Sequence, residues 1–160
     1  MRLAWTGHRP DLFAHPDAAR RAVDDAARVM LQQGPLERFL VGGQRGVDTW
    51  AAHAALELAV PFSLFLPLSI EEFTVDWTES DRAVLRDHAR QAAEVRIAGG
   101  YRERNQLLAS EGDLLIAVWT GQTGGGTAET IGFARASGTP VREVRLVAAV
   151  TRGNVAGRGI

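Results

Sequence analysis

The chain has 160 residues, a net charge of -1 and 18 basic side chains, all of them arginine, and it contains no cysteine. These counts exclude a Schiff-base or P-loop lysine, a cysteine nucleophile, a thiolate metal site and a disulfide, and the near-neutral charge argues against a nucleic-acid partner. Because no apolar run reaches the roughly 20 residues that span a bilayer and no secretory signal pattern opens the chain, we expect a cytoplasmic protein without a membrane partner.

Short β-type runs alternate with longer helical patterns along the chain. We predict strands at residues 2–6, 39–41, 62–66, 95–97, 114–118 and 141–146, and helices at 19–30, 48–58, 79–93, 101–110 and 126–137. Strands separated by helices pair in parallel, so we predict an α/β fold with a Rossmann-like doubly wound, mostly parallel sheet and helices on both faces. The length indicates a single domain over residues 1–150, with residues 151–160 as a flexible tail.

Four unusual loops each follow a predicted strand directly. They comprise residues 6–10, 42–48, 99–105 and 120–127. Ligands of doubly wound sheets bind outside the carboxyl ends of the strands, where the strand order reverses. We therefore expect the four loops to converge on one site.

Glycines at two of these strand-to-helix turns indicate phosphate binding. They are Gly42, Gly43 and Gly46 in the first turn, and Gly124, Gly125 and Gly126, followed by Thr127, in the second. Glycine lets the backbone approach a ligand closely and leaves helical N–H groups free for an anion. Three consecutive glycines also cost backbone entropy that a purely structural turn need not incur. Neither turn fits the P-loop or the G-x-G-x-x-G dinucleotide pattern.

Arginines near these turns are candidate partners of the phosphate. Arg104 lies in the first turn of its helix, where the macrodipole disfavours a cation unless an anion is held nearby. The alternative is an internal salt bridge from Arg104 to Asp48 or Glu129. Arg9 and Arg45 are arginines of glycine-containing loops, and each is either a phosphate contact or a plain surface charge.

Other polar side chains of the same loops have open assignments. Asp48 either caps its helix or contacts the ligand, and Asn105 bonds either a loop carbonyl or the ligand. His8, after Gly7, is the one histidine in a candidate site loop. The four histidines lack the spacing of a zinc helix, so we predict no metal site and no cofactor. Trp119, at the mouth of the fourth loop, could stack on a base.

Together these motifs resemble the SLOG superfamily of Rossmann-like nucleotide-ligand proteins, and within it the YpsA-like group. The matching pieces are residues 6–10, residues 42–48, Tyr101 with Arg104 and Asn105, and Gly124 to Thr127 leading into the last helix. They span nearly the whole chain. The resemblance implies a nucleotide-derived ligand and a homodimer or larger assembly.

Two related families imply rival functions. Residues 42–48, with Ala52 and His53 following, are similar to the G-x-R-G-[IV]-D…A-H stretch of DNA-processing protein A, which binds single-stranded DNA. The third and fourth loops are similar to those of the LOG phosphoribohydrolases, which cleave the N-glycosidic bond of nucleoside monophosphates. DNA binding is the weaker implication, because the net charge of this chain is near neutral, at -1.

The LOG pattern carries over only in part. Arg104 matches the arginine of that family, whereas Asn105 stands where the family has lysine. Gly126 and Thr127 match its G-T pair, but its final Glu falls on a threonine, and Glu129 comes one residue early. One residue on a helix is a turn of about 100°, so we expect Glu129 to point elsewhere unless the loop register differs. A hydrolase would use Arg104 and Glu129.

We predict a protein that binds a nucleotide or nucleotide-derived ligand, such as a nucleoside monophosphate or ADP-ribose, as a sensor. The glycine turns donate N–H groups to phosphate, and Arg104, together with Arg45 or Arg9, pairs with it. Asp48 and Asn105 hold ribose hydroxyls. A LOG-like phosphoribohydrolase is the alternative, and a single-stranded DNA-binding protein is the third possibility.

Overall fold

The computed structural model describes residues 1–150, and the predicted flexible tail at 151–160 lies outside the described residues. The strands are β1 (Arg2–Gly7), β2 (Arg38–Val41), β3 (Phe62–Leu66), β4 (Glu94–Ile97), β5 (Leu114–Trp119) and β6 (Val141–Arg145). The helices are α1 (Pro16–Gln33), α2 (Val47–Glu57), α3 (Ile70–Phe73), α4 (Glu79–Gln91), α5 (Tyr101–Glu111) and α6 (Gly126–Ser137), with a 3-10 turn at Pro10–Leu12. Every predicted strand and helix is present.

Short helix α3 is the element that periodicity does not reveal, because four residues make barely one turn. Its signals are local. The Ser69 hydroxyl accepts the amide N–H of Glu72 and so caps the helix, and Phe73 at its end is buried. The helix carries the chain from β3 to α4.

The six strands form one sheet in the order β4-β3-β2-β1-β5-β6, and every pairing is parallel. From β1 the chain proceeds outward to β4, then returns to the other side of β1 for β5 and β6. Strand order therefore reverses between β1 and β5, whose carboxyl ends mark the switch point. The predicted Rossmann-like α/β sheet with helices on both faces is confirmed.

Alternate strand residues face two separate hydrophobic layers. Leu3 and Trp5 of β1 pack with α1, α2 and α4, whereas Ala4 between them packs with α5 and α6. All five residues of β3 are buried, as expected for a strand that helices cover on both faces. This packing fixes the helix N-termini above the carboxyl edge of the sheet. Within residues 1–150, no helix is long and apolar enough to cross a membrane.

Candidate functional site

A cavity of about 600 Å³ opens at the switch point, between the loops that follow β1 and β5. Its volume is in the range of small-molecule sites. Ten of the residues predicted for the site line it: Gly7, His8, Arg9, Asp48, Arg104, Asn105, Gly124, Gly125, Gly126 and Thr127. Helices α5 and α6 contribute from one face of the sheet and α2 from the other, so the four loops do converge.

The glycine turn before α6, residues 124–126, faces open space in this cavity. Gly124 and Gly125 have φ values of 81° and 87°, a region that favours glycine. A Cβ atom at either position would meet no heavy atom within 4 Å, and one at Gly126 would meet only Asn105 Nδ2, at 3.7 Å. Within residues 1–150, no atom occupies the space where a side chain at Gly124 or Gly125 would project, and all three glycines line the cavity.

The amide groups of this turn are free. Helix α6 begins at Gly126 without a side-chain cap. Among the hydrogen bonds of residues 1–150, none uses the N–H of Gly124, Gly125, Gly126 or Thr127. Unpaired N–H groups at a helix N-terminus carry partial positive charge and bind anions. The turn before α6 therefore has the geometry of an anion site.

In the glycine turn before α2, residues 42–46, the amides of Gln44 and Arg45 donate to acceptors of the protein itself. The Gln44 N–H donates to Asp48 Oδ2 at 3.1 Å, and the Arg45 N–H donates to Gln44 Oε1 at 2.9 Å. Val47 at the start of α2 donates its N–H to the His8 carbonyl at 3.3 Å. Asp48 thus serves as an internal anion for a loop amide and does not cap α2 through its side chain.

Crowding explains the glycines of the turn before α2. A Cβ at Gly46, whose φ is 89°, would overlap the His8 carbonyl oxygen, and one at Gly43 would lie 2.5 Å from a Leu66 methyl. At Gly42 it would lie 2.5 Å from Arg104 Nη1. These three glycines and Arg45 do not line the cavity. Their predicted phosphate contact is therefore not supported by their positions, because the turn packs against other loops.

Gly7 lines the cavity but is also required for packing. A Cβ there would overlap the Val47 side chain and the Val118 carbonyl oxygen. The position allows the end of β1 to lie close to both β5 and α2. It therefore brings the loops on either side of the switch point together.

Arg104 connects the two glycine turns. Its side chain is 7% exposed, Nη1 donates to the Gly42 carbonyl, and Nε donates to Asn105 Oδ1 at 2.9 Å. Asn105 Nδ2 in turn donates to Glu129 Oε1 at 3.2 Å. The alternative salt bridge to Asp48 or Glu129 does not form within 4.0 Å in the described part of the chain. The second terminal nitrogen of Arg104, Nη2, has no hydrogen-bond partner within residues 1–150. This atom is partly exposed.

Burial and charge act in opposite directions on Asp48. Desolvation raises the pKa of this carboxyl to about 6, although the Arg104 charge and the amides of Gln44 and Gly42 lower it. Desolvation likewise lowers the pKa of Arg104, while Asp48 and Tyr101 raise it. Because a guanidinium stays protonated even so, the cavity holds a buried cation beside a carboxyl that titrates near neutrality.

His8 is held between two threonines at the cavity wall. Its Nε2 is 3.1 Å from Thr120 Oγ1, and its Nδ1 is 3.5 Å from Thr127 Oγ1. Desolvation lowers the pKa of the ring, so His8 is neutral at pH 7. Trp119 is buried beside His8, donates its indole N–H to Glu143 and does not line the cavity. The prediction that Trp119 could stack on a base is therefore wrong.

Sequence reasoning missed two glutamines of the cavity wall. Gln44 and Gln122 both line it, and each follows a glycine, Gly43 and Gly121, in a loop after a strand. This repeated Gly-Gln pair is the signal that could have identified them. Amides placed at the mouth of a site can donate and accept hydrogen bonds to a base or a ribose.

Glu129 lines the cavity despite its shift from the LOG register. Its carboxylate reaches the wall through the hydrogen bond from Asn105. Thr130, at the position of the family's Glu, is instead buried with its hydroxyl donating to the Gly126 carbonyl at 2.8 Å. In residues 1–150, no group of three or more histidine, aspartate or glutamate side chains has the arrangement of a metal site.

Solved structures of low sequence identity share the fold. DNA processing protein A from Helicobacter pylori, described for its single-stranded DNA binding mode, aligns with a TM-score of 0.65 and 19% identity over 99% of this chain and 73% of that protein. DNA processing protein A from Streptococcus pneumoniae aligns with a TM-score of 0.67 and 15% identity over 99% of this chain and 56% of that protein. The structural genomics target TM1055 aligns with a TM-score of 0.62 and 18% identity over 88% of this chain and 71% of that protein.

Sequence comparison gives the family. No curated protein matches the chain. A sequence profile of the YpsA family, described as the YspA SLOG family, matches residues 6–124, which include three of the four loops and the start of the fourth. The profile covers well over half of the chain, and the expected SLOG resemblance is confirmed. The chain belongs to the YspA SLOG family.

Proposed function

We propose that this protein binds a nucleotide or nucleotide-derived ligand, such as a nucleoside monophosphate or ADP-ribose, in the cavity at the switch point. One observation carries the proposal. Residues 124–127 line the cavity, and within residues 1–150 their amides have no hydrogen-bond partner, as expected of a site that takes an anion. The cavity draws on loops from Thr6 to Glu129, which supports treating residues 1–150 as one domain.

Arg104 and Arg9 are the proposed cationic partners of the phosphate. Arg104 has one terminal nitrogen to spare and is held rigidly by Gly42 and Asn105, so little side-chain entropy is lost when it binds. Arg9 is more exposed and has its nearest carboxylate, Asp11, at 3.8 Å. Asp48 and Asn105 are the proposed partners of ribose hydroxyls. A sensor needs only these binding contacts and no catalytic group.

A ligand panel with a matched pair of variants tests the proposal. Thermal shift is measured with AMP, other nucleoside monophosphates and ADP-ribose for the wild type, Gly126→Ala and Gly132→Ala. Both substitutions lie in α6, but only the first adds a methyl group at the cavity. We expect nucleotides to stabilise the wild type and Gly132→Ala, with a clear loss in Gly126→Ala. No stabilisation by any nucleotide would contradict the proposal.

A phosphoribohydrolase is the second candidate, favoured by the position of Glu129 at the cavity wall. In that reaction the carboxylate would assist attack of water on the anomeric carbon while Arg104 holds the phosphate. The same nucleotides are incubated with the protein, and free base is separated by chromatography. Base release that disappears in Glu129→Gln would establish the hydrolase, and binding without turnover would support a sensor.

Single-stranded DNA is the third candidate, because one structural neighbour is described for binding it. A gel shift with a short single strand at low and high salt decides this case, since phosphate contacts make affinity fall as salt rises.

We also propose a homodimer or larger assembly. Light scattering of the purified protein gives its mass directly.

A further inference from the structure

A second cavity, of about 530 Å³, adjoins the first, and Arg9 lines both. The ridge between them is formed by the loop after β1 and the turn before α2. Gly46 is the contact point, because a Cβ there would lie 2.9 Å from Arg9 Cα and 3.0 Å from Pro10 Cδ. The two loops therefore touch backbone to backbone, and the ridge is thin enough for one side chain, Arg9, to reach both sides.

The second cavity holds more cationic groups than its carboxylates neutralise. Arg9, Arg20 and Arg45 line it. The nearest ion-pair distances are long, 3.8 Å from Arg9 to Asp11 and 4.0 Å from Arg45 to Asp81. Within residues 1–150, no carboxylate lies within 4.0 Å of Arg20, and the Nε of Arg45 is enclosed without a partner. Loosely paired guanidinium groups of this kind suit a phosphate.

Aromatic surface accompanies these charges. Trp50 lines the second cavity, and the Arg45 guanidinium lies 4.8 Å from the centroid of the Trp77 ring. A partly exposed indole beside a stacked guanidinium offers flat surface to a nucleobase. The second cavity thus has the components for a nucleoside with an adjacent phosphate, separate from the free amides of residues 124–127.

We propose that the ligand is a phosphate-bridged dinucleoside that spans both cavities. One nucleoside with its phosphate occupies the cavity at the switch point, Arg9 pairs with the bridging phosphate on the ridge, and the second nucleoside lies against Trp50 with Arg20 nearby. This inference rests on the proposed nucleotide binding at the first cavity. It adds that a mononucleotide fills only part of the site.

Calorimetric titration with AMP, ADP and diadenosine pyrophosphate tests the inference. The variants are Arg20→Ala, which changes the second cavity, and Arg21→Ala, a matched control on the next residue of α1 that lines neither cavity. We expect diadenosine pyrophosphate to bind at least about tenfold more tightly than AMP and ADP. Arg20→Ala should reduce that ratio about fivefold, the loss of a charge-assisted contact, and Arg21→Ala should preserve it.

The possible failures are distinguishable. If AMP binds but diadenosine pyrophosphate binds no more tightly, the dinucleoside inference is overturned and the proposed function stands. If none of the three ligands binds, the dinucleoside inference is overturned, and the proposed function falls as well when the thermal-shift panel, which includes ADP-ribose, shows no stabilisation. If an oligonucleotide of about ten deoxyadenosines binds more tightly than diadenosine pyrophosphate, the two cavities form a path for a strand, and the dinucleoside assignment is overturned.

Discussion

The two glycine turns of this protein look alike in sequence and differ in what requires the glycine. The turn before α2 needs glycine because neighbouring residues leave no room for a side chain, and its Gln44 and Arg45 amides donate to the side chains of Asp48 and Gln44. In the turn before α6, a Cβ at Gly124 or Gly125 would meet no heavy atom within 4 Å, and within residues 1–150 the amides of residues 124–127 have no hydrogen-bond partner. A glycine-rich strand-to-helix turn is therefore an anion site only when no internal acceptor already fills it.

Gly46→Ala is expected to have the largest effect on stability. The substitution forces a positive φ on alanine and places its methyl group against the His8 carbonyl and Arg9 Cα, with only backbone to give way. We expect a loss of about 3 kcal/mol or more in the free energy of unfolding, measured by urea denaturation. A loss below about 1 kcal/mol would show that the turn before α2 is not required for loop packing.

Asp48→Asn is expected to change how stability depends on pH. The pKa of Asp48 is about 6 in the folded protein and 3.8 ordinarily, so its favourable contribution is complete below pH 3.8 and is lost as pH rises through 6. The asparagine variant lacks this loss. Its free energy of unfolding relative to the wild type should therefore increase by up to about 3 kcal/mol between pH 4 and pH 7.

Comparison with the wild type at each pH cancels the contributions of other titrating groups. The chief one is His88, whose pKa desolvation and the neighbouring His53 lower to about 4. Its contribution has the opposite sign, since it is present above the ordinary histidine pKa and is lost as pH falls toward 4. A difference between variant and wild type that stays constant from pH 4 to pH 7 would contradict the assignment of Asp48 as a buried internal anion.

Arg104→Ala is expected to weaken the connection between the two turns. The substitution leaves the Gly42 carbonyl and Asn105 Oδ1 without their donor and removes the cation beside Asp48. We expect a loss of about 2 kcal/mol in stability, by urea denaturation, together with loss of nucleotide-induced stabilisation. Arg135→Ala, an exposed ion-pair partner of Glu143 far from the cavity, is the control and should change stability by less than about 1 kcal/mol.

Gly126→Ala is expected to have the smallest effect on stability, within about 0.5 kcal/mol of the wild type. Its methyl group would meet only Asn105 Nδ2, and its backbone is not in the left-handed region. Gly132→Ala in the middle of α6 should gain up to about 1 kcal/mol from helix propensity alone. A loss at Gly126 comparable with that at Gly46 would mean that both turns serve packing.

The sequence predicted the fold closely because its patterns are local. Alternation of strands and helices, and glycines at their ends, place the four loops on one edge without any tertiary information. Even helix α6 is bounded by Gly126 and by Gly138, whose left-handed φ of 80° ends it. Helix α3 is the exception, since its cap is a single hydroxyl and it is too short for a hydrophobic period.

The position of the site was predictable from the sequence, but which of its residues bind the ligand and which pack against other loops was not. Arg104 and the turn before α6 were identified from helix position and glycine run, which are features of one segment. That Asp48 fills the turn before α2, or that Arg45 faces the second cavity, depends on contacts between segments far apart in the chain. Sequence alone does not reveal which glycines are crowded, because crowding is a property of neighbours in space.

Amide chemical shifts of isotope-labelled protein during titration with AMP test the central contrast most directly. We expect the amides of Gly124, Gly125, Gly126 and Thr127 to shift together to saturation, because the phosphate binds at these groups. The amides of Gln44 and Arg45 in the turn before α2 should move little, since the Asp48 carboxylate and the Gln44 side chain hold them. Saturable shifts confined to Gln44 and Arg45, or no shifts at residues 124–127, would contradict this expectation.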